Sequence, residues 1–249
     1  MSDNIHLNVA ILSCDTPVES VLKKYGDYFV IYKEFLRQAF GDIKVTFSEH
    51  DMVEMEPFPD LKNVDAMIMT GSKHDAWSDA PWILSLTDQI QQALTHKVPV
   101  VGICFGHQIL ARALGAKVGR GDSWEISVGN VDLTESGKAL FGKDTLSIQQ
   151  MHRDIVFTLP EGCVNLGTSP LCQLQGLYSP HKLLSVQGHP EYHEGIMNCI
   201  LETRHDSGVF NDELYKDAKS RAGNLHDSLL IGRVISKFVL DAKVARLDG

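Results

Sequence analysis

The sequence contains no apolar run close to the ~20 residues that a helix needs to cross a bilayer, so no membrane-spanning segment is predicted. Its five cysteines are an odd number and include no C-x-x-C pair, which disfavours both a disulfide framework and a zinc site. Positive charge is also scarce, because 23 lysines and arginines stand against 32 aspartates and glutamates and give a formal net charge of -9. A nucleic-acid-binding surface is therefore not expected.

The first residues lack the features of a signal peptide. Met1–Asn4 provide neither a basic segment nor the start of an apolar one. Together with the unpaired cysteines, this predicts a soluble, cytoplasmic protein whose partners are neither membranes nor nucleic acids.

The N-terminal half of the chain alternates between strand and helix patterns. Short apolar or alternating runs predict strands at Leu7–Leu12, Ile43–Phe47, Val64–Thr70 and Val98–Ile103. Helical spacing predicts helices at Tyr28–Phe40 (closed by Gly41), from an N-cap at Asp79 through Pro81 to Leu94, and after Cys104 through Leu114, with Gly115 as the C-cap. This order is typical of an α/β fold with a doubly wound, mostly parallel central sheet and flanking helices.

The C-terminal half has a different pattern. Shorter, partly alternating segments between residues 128 and 187 predict strands that extend the sheet, some of them antiparallel. A helical pattern begins at Glu191, and apolar residues from Leu225 to Val239 predict a closing helix. Without a repeat or a convincing linker, residues 1–249 are interpreted as one domain, with a core at 7–204 and C-terminal helices at about 205–245.

The best candidate for chemistry is Cys104, which lies between Gly102 and Gly106 at a strand-to-helix junction. This is a thiol version of the nucleophile elbow, a tight turn that raises a nucleophile above a sheet and needs glycine on both sides. The N–H groups of the following helix would favour a thiolate. A buried structural cysteine is the alternative, but the two glycines together favour the elbow.

A cysteine nucleophile needs a base, and His189 has the most suitable context of the eleven histidines. Pro190 keeps it out of a helix, and Glu191, two residues on in an extended segment, can reach its ring and set the tautomer. His107 lies on the helix leading away from Cys104 and is expected to point elsewhere. An ordinary loop histidine is the alternative, whereas metal ligation through His193 is not favoured because Glu191 already explains the spacing.

The strand that ends at Thr70 supplies a third element. The small residues Gly71 and Ser72 follow it, and an N–H from one of them, with that of Phe105, would form an oxyanion hole. An ordinary strand-ending turn is the alternative interpretation.

Taken together, the segments Gly102–Gln108 and Gly188–Glu191 resemble the nucleophile and base motifs of the class I glutamine amidotransferase family, over roughly residues 7–204. The resemblance implies a flavodoxin-like sheet without a cofactor or a metal. It also implies a triad of the nucleophile Cys104, the base His189 and its orienting residue Glu191. Its substrate-binding residues would be Gln108, Gln150, Met151 and His152.

The turn after the third strand departs from the family pattern. Most amidotransferases have Gly-Gly there, so Gly71-Ser72 leaves open which N–H stabilises the oxyanion. The segment Gly71–Ala76, followed by Asp79-x-Pro81-Trp82, is more similar to the plant γ-glutamyl peptidases and their fungal relatives. That similarity implies a cysteine hydrolase that cleaves γ-glutamyl amides through a thioester.

Two other functions stay open. No Walker-type loop occurs, so a synthetase half is not expected in this chain, but it could be a glutaminase subunit that supplies ammonia to a separate synthetase partner. It could also be a catalytically silent regulatory module, although the presence of Cys104, His189 and Glu191 argues against that. The leaving group, whether ammonia, an amino acid, glutathione or a conjugate, is not determined by the sequence.

Overall fold

The computed structural model describes residues 5–248. Its strands are β1 (His6–Ser13), β2 (Lys44–Asp51), β3 (Ala66–Met69), β4 (Val100–Ile103), β5 (Val118–Leu133), β6 (Thr145–Val156), β7 (Val164–Asn165), β8 (Gly167–Thr168), β9 (Gly176–Ser179) and β10 (Leu183–Val186). Its helices are α1 (Glu19–Tyr25), α2 (Tyr28–Phe40), α3 (Pro81–Thr95), α4 (Phe105–Ala113), α5 (Glu135–Phe141), α6 (Glu194–Asp206), α7 (Asp212–Arg221) and α8 (Ser228–Asp248). Across residues 5–248, none of these helices combines the length and the apolar character needed to span a membrane.

Seven strands form a central sheet in the order β2-β1-β3-β4-β10-β9-β7. The first five run parallel, and β9 is antiparallel to both of its neighbours. Side chains of β1 alternate between two apolar layers: Leu7, Val9 and Ile11 pack with α2 and α8, whereas Ala10 and Leu12 pack with α3 and α4. The predicted α/β fold with a mostly parallel sheet and helices on both faces is confirmed.

The expectation that all later strands extend the central sheet is wrong for the two longest of them. β5 and β6 pair with each other along most of their length, and β8 pairs with one end of β5 to give a separate three-stranded sheet. Because β5 and β6 satisfy each other's backbone groups, they need no place in the central sheet. β7, β9 and β10 do extend it.

Two predicted helix details also need correction, and two short helices were not predicted. The N-cap of α3 is Ala80, because the residue before a proline is held extended, and the Asp79 carboxylate instead lies 2.9 Å from Arg112 Nη2. Leu225 is almost fully exposed and precedes α8, which begins at Ser228. The short helices α1 and α5 are additions that the sequence patterns do not predict.

Candidate active site

The carboxyl ends of three neighbouring parallel strands carry the predicted site residues. Cys104 follows β4, while Gly71 follows β3 on one side and His189 follows β10 on the other. The Cys104 N–H donates to Val186 O at 3.0 Å, which ties the turn after β4 to the end of β10. Ligands of open α/β sheets bind outside this edge, so the topology alone brings the three segments to one place.

The predicted strand-to-helix turn at Cys104 is confirmed by its backbone. Cys104 has φ 54° and ψ -102°, a left-handed conformation that L residues rarely adopt. A Cβ on Gly102 would lie 2.4 Å from Gly106 O, and a Cβ on Gly106 would lie 2.6 Å from Met69 O. Both glycines are therefore required by close backbone approach.

Cys104, His189 and Glu191 lie together and are buried. His189 Nδ1 is 2.7 Å from Glu191 Oε1, and its ring also contacts the Cys104 side chain. Burial opposes a charge on the imidazole, but the negative charges of Cys104 and Glu191 outweigh that effect and raise the pKa of His189 to about 10. The geometry thus joins an acceptor carboxylate, an imidazole and a thiol in one group.

Two further contacts fix the orientation of the His189 ring. Its backbone N–H donates to Gln149 O at 2.7 Å, so β6 holds the segment in place. Its ring stacks on Tyr192, with centroids 4.1 Å apart and planes 2° from parallel. The Tyr192 hydroxyl in turn lies 3.2 Å from the hydroxyl of Tyr28. The imidazole therefore has little freedom to turn away from the thiol.

Gly71 is packed directly against the imidazole. A Cβ at this position would lie 2.6 Å from His189 Cε1. Its N–H donates to the Tyr32 hydroxyl at 2.9 Å. Burial, followed by the charge of Glu191, raises the pKa of Tyr32 well above its ordinary value, so this hydroxyl stays protonated beside the carboxylate.

The hydrogen bond from the Gly71 N–H to Tyr32 reduces the number of N–H groups that could stabilise an oxyanion. Because the Gly71 N–H is already engaged, Ser72 is the better candidate of the pair; within residues 5–248 its N–H donates to no protein group. Phe105 is the first residue of α4, where an N–H has no acceptor inside the helix. The N–H groups of Ser72 and Phe105 stay proposed donors for an oxyanion.

Replacing Gly71 with alanine tests the packing around the imidazole. The new methyl group is expected to displace the His189 ring, which lowers the rate of Cys104 alkylation by iodoacetamide roughly tenfold and the stability by about 1–3 kcal/mol. Peptide mapping and thermal unfolding measure the two effects. Gly129→Ala is the matched control, because its Cβ would meet nothing closer than 3.7 Å. Equal alkylation rates in both variants would contradict the proposed contact.

A cleft with two lobes opens in front of these residues. The thiol lobe, about 210 Å³, contains Cys104, and the imidazole lobe, about 300 Å³, contains His189. Four residues line both lobes: Ser72, Lys73, Met151 and Arg204. The thiol and the imidazole therefore open onto two adjoining spaces that share these four lining residues.

The predicted substrate-binding residues divide into two groups. Gln108, Met151 and His152 line the thiol lobe. Gln150 is not part of the cleft lining, because its side-chain amide is buried and donates to Gln175 Oε1 at 3.1 Å. A role in holding substrate stays a prediction for the first three.

His107 and His193, two other histidines considered from the sequence, each form hydrogen bonds away from Cys104. His107 Nδ1 lies 2.8 Å from Ser185 Oγ and Nε2 lies 3.1 Å from Leu174 O, and burial lowers the pKa of His107 to about 3. His193 Nδ1 accepts the Gly195 N–H and caps α6. Over the part of the chain that the structure describes, no group of three or more His, Cys, Asp or Glu side chains is arranged to hold a metal ion.

Sequence reasoning missed several residues around the site. Tyr32 belongs to the apolar stripe of α2 and lies in the core, as that stripe predicts, but its hydroxyl also reaches Gly71 and Glu191. A buried tyrosine in an apolar stripe needs a polar partner, and that signal could have identified it. For Arg204, near the end of α6, nothing in the neighbouring sequence indicates that it lies at the site.

The sequence profile described as "Glutamine amidotransferase class-I" matches residues 26–203. The chain belongs to the class I glutamine amidotransferase family. The match includes both predicted motifs.

Curated relatives agree with this family. The chain is 34% identical over 248 residues to a glutamine amidotransferase-like protein of Schizosaccharomyces pombe, covering 94% of this chain and 99% of that protein. It is 33% identical over 218 residues to gamma-glutamyl peptidase 2 of Arabidopsis thaliana (84% and 86%). It is 32% identical over 178 residues to a subunit of the glutamine-hydrolysing GMP synthase of Archaeoglobus fulgidus (70% and 88%).

Solved structures support the fold. A glutamine amidotransferase from Thermotoga maritima has a TM-score of 0.67 with this chain at 22% identity, covering 98% of this chain and 99% of that one. At this level of identity, the similarity concerns the fold.

Proposed function

We propose that this chain is a cysteine hydrolase that cleaves γ-glutamyl amide bonds through a γ-glutamyl thioester. The observation that carries the proposal is the buried contact of Cys104, His189 and Glu191 beside a cleft. The identity to a gamma-glutamyl peptidase supports the substrate class.

In the first half of the reaction, the Cys104 thiolate attacks the γ-carbonyl carbon of the substrate. The negative charge that develops on the carbonyl oxygen is stabilised by the N–H groups of Ser72 and Phe105. Protonated His189 gives its proton to the leaving nitrogen as the C–N bond breaks. The products of this step are a free amine, a thioester on Cys104 and a neutral imidazole.

In the second half, His189 removes a proton from water, and the resulting hydroxide attacks the thioester carbonyl. The C–S bond breaks, glutamate leaves and Cys104 becomes a thiolate again. Glu191 accepts the hydrogen bond from Nδ1 throughout and stabilises the imidazolium that is restored. Atoms and charge balance over the two halves: one amide and one water give glutamate and one amine.

A glutaminase subunit is the second candidate, and it is favoured by the identity to a component of a glutamine-hydrolysing GMP synthase. In that case the amine is ammonia and a separate synthetase partner consumes it. The cleft residues would be the same, so only substrate preference and dependence on a partner separate the two functions.

The proposal is tested with purified protein and three substrates: glutamine, glutathione and γ-glutamylalanine. We expect glutamate release from the two peptides without any added partner, and a mass increase on Cys104 corresponding to a γ-glutamyl group after rapid acid quenching. Glutaminase activity that appears only after addition of a cell extract would favour the synthetase-linked subunit. Failure of all three substrates together with an unmodified Cys104 would favour a silent regulatory module.

A further inference from the structure

The proposed reaction assigns the two lobes to the two sides of the bond that it breaks. The sulfur of Cys104 must bond to the acyl carbon, so the glutamyl group lies in the thiol lobe. His189 must protonate the leaving nitrogen, so the leaving amine lies beside the imidazole. The imidazole lobe is therefore the space that the leaving group occupies.

This lobe is far larger than ammonia requires. Its volume is about 300 Å³, whereas a water molecule, similar in size to ammonia, takes roughly 30 Å³ in the liquid. Val18, Ile200 and Val209 contribute apolar surface to its lining. An amine that carries a side chain fits this space and these walls.

One cation at the junction of the lobes is not neutralised. The other cation that lines both lobes is Lys73, whose Nζ lies 2.9 Å from Asp15 Oδ1. Among residues 5–248, no carboxylate forms an ion pair with Arg204, which lines both lobes.

The Arg204 side chain packs against aromatic rings, but its charge has no acidic partner in the described residues. Its guanidinium carbon lies 5.3 Å from the centre of the Trp124 ring and 6.0 Å from that of Phe210. Its Nε is buried and has no hydrogen-bond partner in the described chain. A guanidinium that is held by aromatic rings and forms no ion pair is suited to bind a carboxylate through paired hydrogen bonds.

We infer that the imidazole lobe is a leaving-group subsite for an amino acid or short peptide with a free carboxylate, and that Arg204 binds this carboxylate. The inference rests on the proposed function and narrows its substrate class to γ-glutamyl peptides. Arg153, which lines only the thiol lobe and donates to Gly121 O, is not expected to contact the leaving group.

The test compares γ-glutamylalanine with its C-terminal amide, which differs only in the carboxylate. Wild type is expected to prefer the acid by about tenfold or more in kcat/KM, since charge-assisted bonds to a carboxylate contribute at least this factor. In Arg204→Gln the ratio of the two kcat/KM values falls to about one. Arg204→Lys keeps the charge but not the planar fork, so it retains part of the preference.

The outcomes separate this inference from the proposed function. Arg233→Gln, an exposed arginine on α8 outside both lobes, is the control and keeps the wild-type ratio. If Arg204→Gln lowers both substrates by the same factor, or wild type has no preference, the carboxylate contact is refuted while the hydrolase function stands. If wild type cleaves neither substrate, the proposed function fails as well.

Discussion

Replacing Cys104 with alanine is expected to reduce γ-glutamyl hydrolysis by about 10⁴-fold or more, because no other group in the site can form the thioester. Glutamate release under substrate saturation measures the loss, and rapid-quench mass spectrometry should find no γ-glutamyl adduct. The variant should remain folded, since alanine keeps the backbone and removes only the sulfur. Cys163→Ala, a half-buried cysteine outside both lobes, serves as the control.

The result that would refute this assignment is specific. A Cys104→Ala protein that keeps normal turnover, or that still forms an adduct on another cysteine, would show that the elbow thiol is not the nucleophile.

Replacing Glu191 with glutamine is expected to reduce kcat by about 10²–10⁴-fold. Glutamine is close in shape, so the main loss is the negative charge that helps to raise the pKa of His189 to about 10. Without that charge the pKa of the imidazole falls, and the protonated form needed for the leaving amine is lost at a lower pH. The alkaline limb of the pH–rate profile should therefore move towards neutral pH.

The imidazole pKa itself can be followed by NMR titration of the histidine ring signals in both proteins. Glu213→Gln, an exposed acid on α7, is the matched control and should leave the alkaline limb in place. A Glu191→Gln protein with the wild-type limb would mean that this carboxylate does not act on His189.

The sequence predicted the elements whose signals are local. Buried strands such as Ala66–Met69 and Val100–Ile103 are continuous apolar runs, and the apolar stripe of α2 from Tyr28 to Phe40 is closed by Gly41 as its C-cap. The glycines at 102 and 106 marked the tight turn. His189 followed by Pro190 and Glu191 was also recognised within one short segment.

The missed features depend on partners that are distant in the chain. That β5 and β6 leave the central sheet depends on their pairing with each other, which no single segment encodes. The hydroxyl of Tyr32 meets Gly71, 39 residues away. The choice between Gly71 and Ser72 as oxyanion donor depended on that contact. Arg204 enters the cleft only because α6 packs where it does.

The left-handed backbone at Cys104 lowers the stability of the fold at the position of the proposed nucleophile. A non-glycine residue held in such a conformation costs about 1–3 kcal/mol, which the rest of the fold must offset. Glycine would remove that cost but has no sulfur. Selection for a more stable fold alone would therefore favour glycine at this position, and the proposed nucleophilic role gives a reason for a cysteine there.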